Sequence, residues 1–226
     1  MITNSKDSST INPTHAAVDL VIFVTVMFSI RQIHFESIGF WGNALLNSTV
    51  TVGVATILLY FRGQSWTSLG LIRPVNYLKM IGVAVAAVMG TVMSIMVFEG
   101  FIREAMFGPS STSNGGVNFD LDGSLYIFLS TLFLVWIESF LEELQDRGFS
   151  LNRIESLLSK LPIAALIAVV FQATIFGFRH SLDFSPRSVT TGLIGFIFGL
   201  VYIMTGRNLW PLIIAHIALN TISVID

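Results

Sequence analysis

Residues 124–149 read SLYIFLSTLFLVWIESFLEELQDRGF, and the two halves of this stretch ask for opposite surroundings. From Ser124 to Leu141 it is almost wholly apolar, and its length suits a bilayer crossing, which takes about 20 helical residues with a range near 17 to 25. It then ends on Glu142, Glu143, Asp146 and Arg147, four ionisable side chains within six positions. Read alone, EELQDR is either a solvated helix end or the lining of a protein cavity. Only the second reading carries chemistry.

The rest of the chain argues for the membrane. Of its 226 residues 53% are hydrophobic and only 12% charged, with a mean hydropathy of +0.76. Soluble domains carry about 25% charge, so the depletion of charge is the more telling departure. The net charge of -2 includes no long basic or acidic block, which argues against a nucleic-acid partner. The chain has no cysteine, and so no thiol nucleophile, disulfide or cysteine-ligated metal. The polar start MITNSKDSSTINPTHAAVDL has no signal-peptide pattern, and no cleaved leader is expected.

Apolar segments near residues 16–33, 41–61, 79–101, 124–141, 162–180, 188–204 and 209–225 predict an all-α, polytopic bundle of about seven transmembrane helices, six to eight in range. The whole chain, 1–226, reads as one membrane-embedded domain. FRGQSWTSLGLIRPVNYLK, between the second and third spans, reads as an interfacial segment in which Trp66, Leu69, Leu71 and Ile72 dip into lipid while Arg62, Arg73 and Lys79 stay wet. GPSSTSNGGVNFDLDG reads as an irregular loop, and its Asp120 and Asp122 as a chance resemblance to a metal site. Alternating spans put Lys6, Arg62, Arg73, Lys79, Arg147, Arg153, Lys160 and Arg207 on the side of the N-terminus. Arg31, Arg103, Arg179 and Arg187 fall on the other side. The positive-inside rule then makes the N-terminus cytoplasmic, and short loops favour a bacterial plasma membrane.

Ionisable groups inside membrane helices cost about 2.5 to 3.5 kcal/mol each on insertion scales, so they mark function by default. His15, His34 and Glu99 lie at span ends and read as solvated. Glu143 and Arg147 stand four apart on a helix, in the better order for an ion pair. Glu142 is turned about 100° from Glu143, so the two carboxylates do different jobs, one structural and one free to move a proton. Glu138, Glu142 and Asp146 form an acidic stripe at helical spacing. If the chain turns back at Leu161 and Pro162, Glu142 and His180 are each 19 residues from that turn and reach the same depth, roughly 28 Å away. His216 and Asn220 share one face of the last span. The GFIFG run at 195–199 fits the small-xxx-small spacing of tightly packed membrane helices.

Taken together, Glu142-Glu143-x-x-x-Arg147, Phe176-x-x-x-His180 and His216-x-x-x-Asn220 resemble, in order and spacing, the three motifs of the CPBP family of CAAX proteases and bacteriocin-processing enzymes, also called ABI proteins. Residues 124–225 would form the catalytic core. The resemblance implies an intramembrane glutamic endopeptidase acting on a membrane-associated or prenylated peptide, or on a bacteriocin or signal propeptide. It implies that Glu142, helped by His180, activates a water, and that His216 and Asn220 stabilise the oxyanion. Glu143, Arg147 and Phe176 would support the site. The expected partners are a peptide or protein substrate and the lipid bilayer. No cofactor is expected under this reading.

Two alternatives remain at this point. Two histidines and a glutamate also suit a zinc-dependent membrane protease, although the HExxH spacing is absent. A non-catalytic bacteriocin self-immunity or transport protein would use the same polar helices to bind a peptide.

Overall fold

The computed structural model describes residues 11–109 and 125–225. Among them the secondary structure is helical throughout. Helix α1 (Pro13–Ile30) starts where the Asn12 side chain accepts the amide of Thr14 and proline occupies the first turn. Helix α2 spans Gly39–Phe61, followed by a short 3-10 turn at Trp66–Leu69. Helix α3 (Tyr77–Val97), capped by Asn76, runs through a π-helical turn at Phe98–Ile102 into the short α4 (Arg103–Phe107). The third predicted span is therefore longer than its apolar pattern, because Glu99 and Arg103 pair at 3.3 Å on its surface and the helix continues past them. The loop aspartates Asp120 and Asp122 lie outside the described residues.

Helix α5 (Leu125–Glu143) passes through a π-helical segment, Leu144–Ser150, into α6 (Leu151–Leu157). The chain then turns back into α7 (Ala164–His180), α8 (Pro186–Met204) and α9 (Trp210–Ile225). All seven predicted spans are helices. Among the described residues four helices are long and apolar enough to cross a membrane, whereas Ala164–His180 and Trp210–Val224 are apolar but shorter. The molecule is a polytopic membrane bundle.

Close backbone approach joins α7 to α8. A Cβ at Gly177 would collide with the Ser188 carbonyl, and one at Gly195 would sit 3.0 Å from the Ala173 Cα. At Gly199 it would meet Val169 at 3.0 Å. The small residues of GFIFG thus sit in the α7–α8 seam, as their spacing predicts.

Helix α1 is anchored by an ion cluster that brings Arg62, expected to stay wet, and Arg153 onto Asp19. Asp19, fully buried, receives Arg62 at 2.7 Å and Arg153 at 3.1 Å, and Arg153 lies 4.6 Å over the Phe149 ring. A buried charge needs such pairing to offset its desolvation. The segment after α2 also departs from expectation. Trp66 packs against Gly148 and bonds Thr56, and Leu69 is buried, so these residues face protein while Ile72 remains exposed. Gly70, at φ +100°, lets its carbonyl accept the Leu209 amide at 2.9 Å in a space where a side chain would strike the Arg207 carbonyl.

Candidate active site

Depth follows from contacts at the turn before α9. Arg207 pairs with Glu155 at 2.7 Å and bonds Asn152 at 3.2 Å, so residues 152–155 are level with that turn. The α6–α7 turn consequently projects beyond the level of the Arg207 turn. Counting back from Asn152 puts Glu142 roughly 15 Å above it, and His216 stands roughly 10 Å above Leu209. The equal-depth relation between Glu142 and His180 holds because the whole hairpin is displaced.

The π-helical segment carries the acidic motif into the bundle. Its i to i+5 spacing is closed by the Leu151 amide on the Asp146 carbonyl, and residues 144–150 are all buried. Asn152 supports it by donating toward the Arg147 and Gly148 carbonyls at 3.0 and 2.7 Å. Tyr202 ties this support to α8 and to the Leu69 carbonyl. Single π turns often occur at functional positions, where they change the direction of side chains.

The two adjacent glutamates part as their helical angle predicts. Glu143 pairs with Arg147 at 2.9 Å, both fully buried, and receives His216 Nδ1 at 2.6 Å. Arg147 is also held over the rings of Phe176 and Phe198, at 4.7 and 5.1 Å. Glu142 faces the other motifs. Its Oε1 lies 3.6 Å from His180 Nε2, and its Oε2 lies 3.4 Å from His216 Nε2. The His180 side chain is 21% exposed, so this is the open edge of an otherwise buried group. Phe176 fixes the His180 ring, which donates from Nδ1 to the Phe176 carbonyl at 2.8 Å and lies 4.6 Å from its aromatic ring.

Asn220 is placed less directly. Its amide donates to Ser139 Oγ at 3.0 Å, and Ser139 donates in turn to the Val135 carbonyl. This sets Asn220 beside the turn of α5 that precedes Glu142. Glu138, one turn before Glu142, accepts a bond from Ser48 of α2 at 2.5 Å.

Sequence reasoning missed the site's second arginine. Arg179 was assigned to the solvent on the side away from the N-terminus, yet it is buried and bridges Glu142 at 2.8 Å and Asp146 at 3.1 Å, with Gln145 at 3.2 Å. The signal was present as a matched pair. Asp146 and Arg179 are opposite charges, and each immediately precedes a motif residue, Arg147 and His180. Polar Gln145 and Asp146 between the motif positions have the same explanation. Zinc ligation needs several donor atoms about 2.0 to 2.2 Å from one point. Among the described residues no group of three or more histidines and carboxylates is so arranged.

Residues 124–222, from the start of α5 into α9, match the family model described as Rce1-like, type II CAAX prenyl endopeptidase. All the site residues named above except Ser48 and Leu69 fall within it. No curated protein and no solved structure matches the chain.

Proposed function

We propose, on the premise that this chain belongs over residues 124–222 to the Rce1-like family of CAAX proteases, that it hydrolyses peptide bonds within the membrane with Glu142 as the base that activates water. The observation that carries the reading is the convergence of His180 and His216 Nε2 on the two oxygens of one glutamate.

In the proposed reaction a water beside Glu142 and His180 loses a proton to the carboxylate as its oxygen attacks the scissile carbonyl. The carbonyl oxygen takes up negative charge, and His216 Nε2 together with the second amide hydrogen of Asn220 donates to it. When the carbon–nitrogen bond breaks, the proton held by Glu142 passes to the leaving amine. Arg179 keeps the base in place, and the Glu143–Arg147 pair fixes His216 from behind. Arg179 also favours this chemistry over a zinc-dependent one, because its guanidinium already stands 2.8 Å from Glu142 Oε1, where a second cation would be repelled.

The substrate is a peptide held at the bilayer, from a prenylated chain end or from a bacteriocin or signal propeptide. With Arg147, Arg153 and Arg179 buried, Lys6, Arg62, Arg73, Lys79, Lys160 and Arg207 still outweigh Arg31, Arg103 and Arg187, which favours a cytoplasmic N-terminus. A bacterial plasma membrane remains the favoured location.

The test is cleavage of a quenched peptide library by the purified protein and by Glu142→Gln, each with and without a strong chelator. Cleavage lost in the variant and retained with chelator supports the glutamate mechanism. Activity abolished by chelator and restored by zinc overturns it.

A further inference from the structure

The acidic stripe on α5 carries more carboxyl groups than the site has cations to match. Glu142 and Asp146 share Arg179, at 2.8 and 3.1 Å, and Glu143 has Arg147. Glu138, one turn before Glu142, pairs with no cation among the described residues. Its Oε1 accepts the Ser48 hydroxyl at 2.5 Å, and its Oε2 is buried without a hydrogen-bond partner.

The elements around Glu138 offer nothing else to balance a charge there. Helix α2 presents Ser48. Helix α7 presents Arg179 and His180, and α9 presents His216, all three turned to Glu142. Arg31, at the end of α1, acts on Glu138 through space only, as do Glu142 and Arg179. A buried carboxylate with one hydroxyl donor and no cation costs far more than the neutral acid, so the group takes up a proton. Like charges one helical turn apart also oppose each other, and Arg179 decides that Glu142 is the one that stays ionised. With Ser48 donating to Oε1, the proton of Glu138 sits on Oε2.

Neutrality matters because of where this side chain stands. Glu138 directly precedes Ser139, which accepts the Asn220 amide at 3.0 Å. Asn220 and His216 are the proposed donors to the oxyanion, so a charged Glu138 would oppose the negative charge that develops beside them.

We infer that Glu138 is a positioning residue of the reaction, which by holding a proton leaves Glu142 as the ionised base and the oxyanion unopposed, and by losing it slows cleavage. The inference rests on the protease reading above and adds to it an upper pH limit. A group that must be neutral and acidic restricts the rate on the alkaline side. His216, which must donate from Nε2, restricts it there as well, so two groups shape that limb.

The experiment uses the full chain in phosphatidylcholine nanodiscs and takes two readings. Infrared difference spectra of the parent against Glu138→Gln at neutral pH should show the C=O stretch of a protonated carboxyl, lost in the variant. Initial rates on a quenched peptide without titratable side chains are then followed across pH. The parent's rate should fall more steeply on the alkaline side than that of Glu138→Gln, whose limb belongs to His216. Relative to each protein's own neutral rate, the variant should be about tenfold faster there, the effect of removing one like charge roughly 10 Å away at an effective dielectric of about 20. Glu138→Leu, also uncharged, serves both readings if the amide variant does not fold. A merely structural Glu138 would alter Tm without moving the limb. Absence of the carboxyl band overturns the inference whatever the activity, and so do normalised profiles that coincide; both leave the protease reading standing. No cleavage by the folded parent at any pH, or cleavage that persists in Glu142→Gln, overturns the protease reading and this inference with it, even where the band is present.

Discussion

Replacing Arg147 with methionine should unfold much of the site before any question of catalysis arises. The guanidinium and the Glu143 carboxylate are both fully buried and 2.9 Å apart. Without the cation, Glu143 keeps the His216 ring, at 2.6 Å, but has lost its compensating charge. Breaking a buried pair by removing one partner costs about 3 to 5 kcal/mol. Methionine fills most of the volume over Phe176 and Phe198 but loses the cation–π attraction of both contacts. Against a total stability of about 5 to 15 kcal/mol, the expected outcome is a fall in Tm on the order of 10 °C. Thermal unfolding in detergent, followed by loss of the monodisperse chromatographic peak, reads this directly. Adding Glu143→Gln removes the orphaned charge and should recover most of the Tm, while peptide cleavage stays lost because His216 has no anionic partner. If Arg147→Met melts within about 2 °C of the parent, the pair is not buried as described and the reasoning fails.

Two further outcomes follow from the same geometry. Glu142→Gln should lower cleavage at least about a thousandfold by removing the base, while its Tm stays near the parent's because Arg179 retains Asp146 as its partner; an active variant would dismiss Glu142 from the role. Gly177→Ala should cost about 1 to 3 kcal/mol by forcing α7 from α8 at the Ser188 carbonyl, and it should slow cleavage because Arg179 and His180 follow within a turn; unchanged Tm and rate would show that the seam yields.

The fold was legible because bilayer crossing leaves a strong record: each predicted span became a helix. The motif pairs at i and i+4 were legible for a related reason, since helical geometry alone puts Glu143 against Arg147 and Phe176 against His180. What sequence spacing does not encode is contact between helices. Arg179 looked like a loop cation because it ends an apolar run, and nothing within α7 reveals that Asp146 of the π segment faces it. Asp19, Arg62 and Arg153 are separated by more than 40 residues at each step, so their cluster becomes visible only once α1, α2 and α6 are assembled. Trp66 was read as lipid-facing because an indole suits both the interface and a protein groove, and the groove beside Gly148 is made by a distant segment.

The hydrogen bonds also count the protons in the site. The Phe176 carbonyl can only accept, so His180 must carry a proton on Nδ1. The Glu143 carboxylate, already paired with Arg147, places a proton on His216 Nδ1 by the same reasoning. With both rings neutral, each Nε2 would then present a lone pair to an ionised Glu142, at 3.6 and 3.4 Å, and acceptors would face acceptors on both sides. One additional proton, carried on His216 Nε2 beside an ionised Glu142, removes that conflict at His216, and the water beside Glu142 and His180 removes it at His180. The proton also meets a chemical need, because the leaving amine requires an acid and an oxyanion requires a donating His216 Nε2. Nitrogen NMR of the protein labelled at histidine should therefore find His180 and His216 protonated on Nδ1, with the Nε2 resonances of both rings displaced in Glu142→Gln. A His180 ring protonated on Nε2 alone would contradict the Phe176 bond, and would remove the ordered proton from which catalysis is argued.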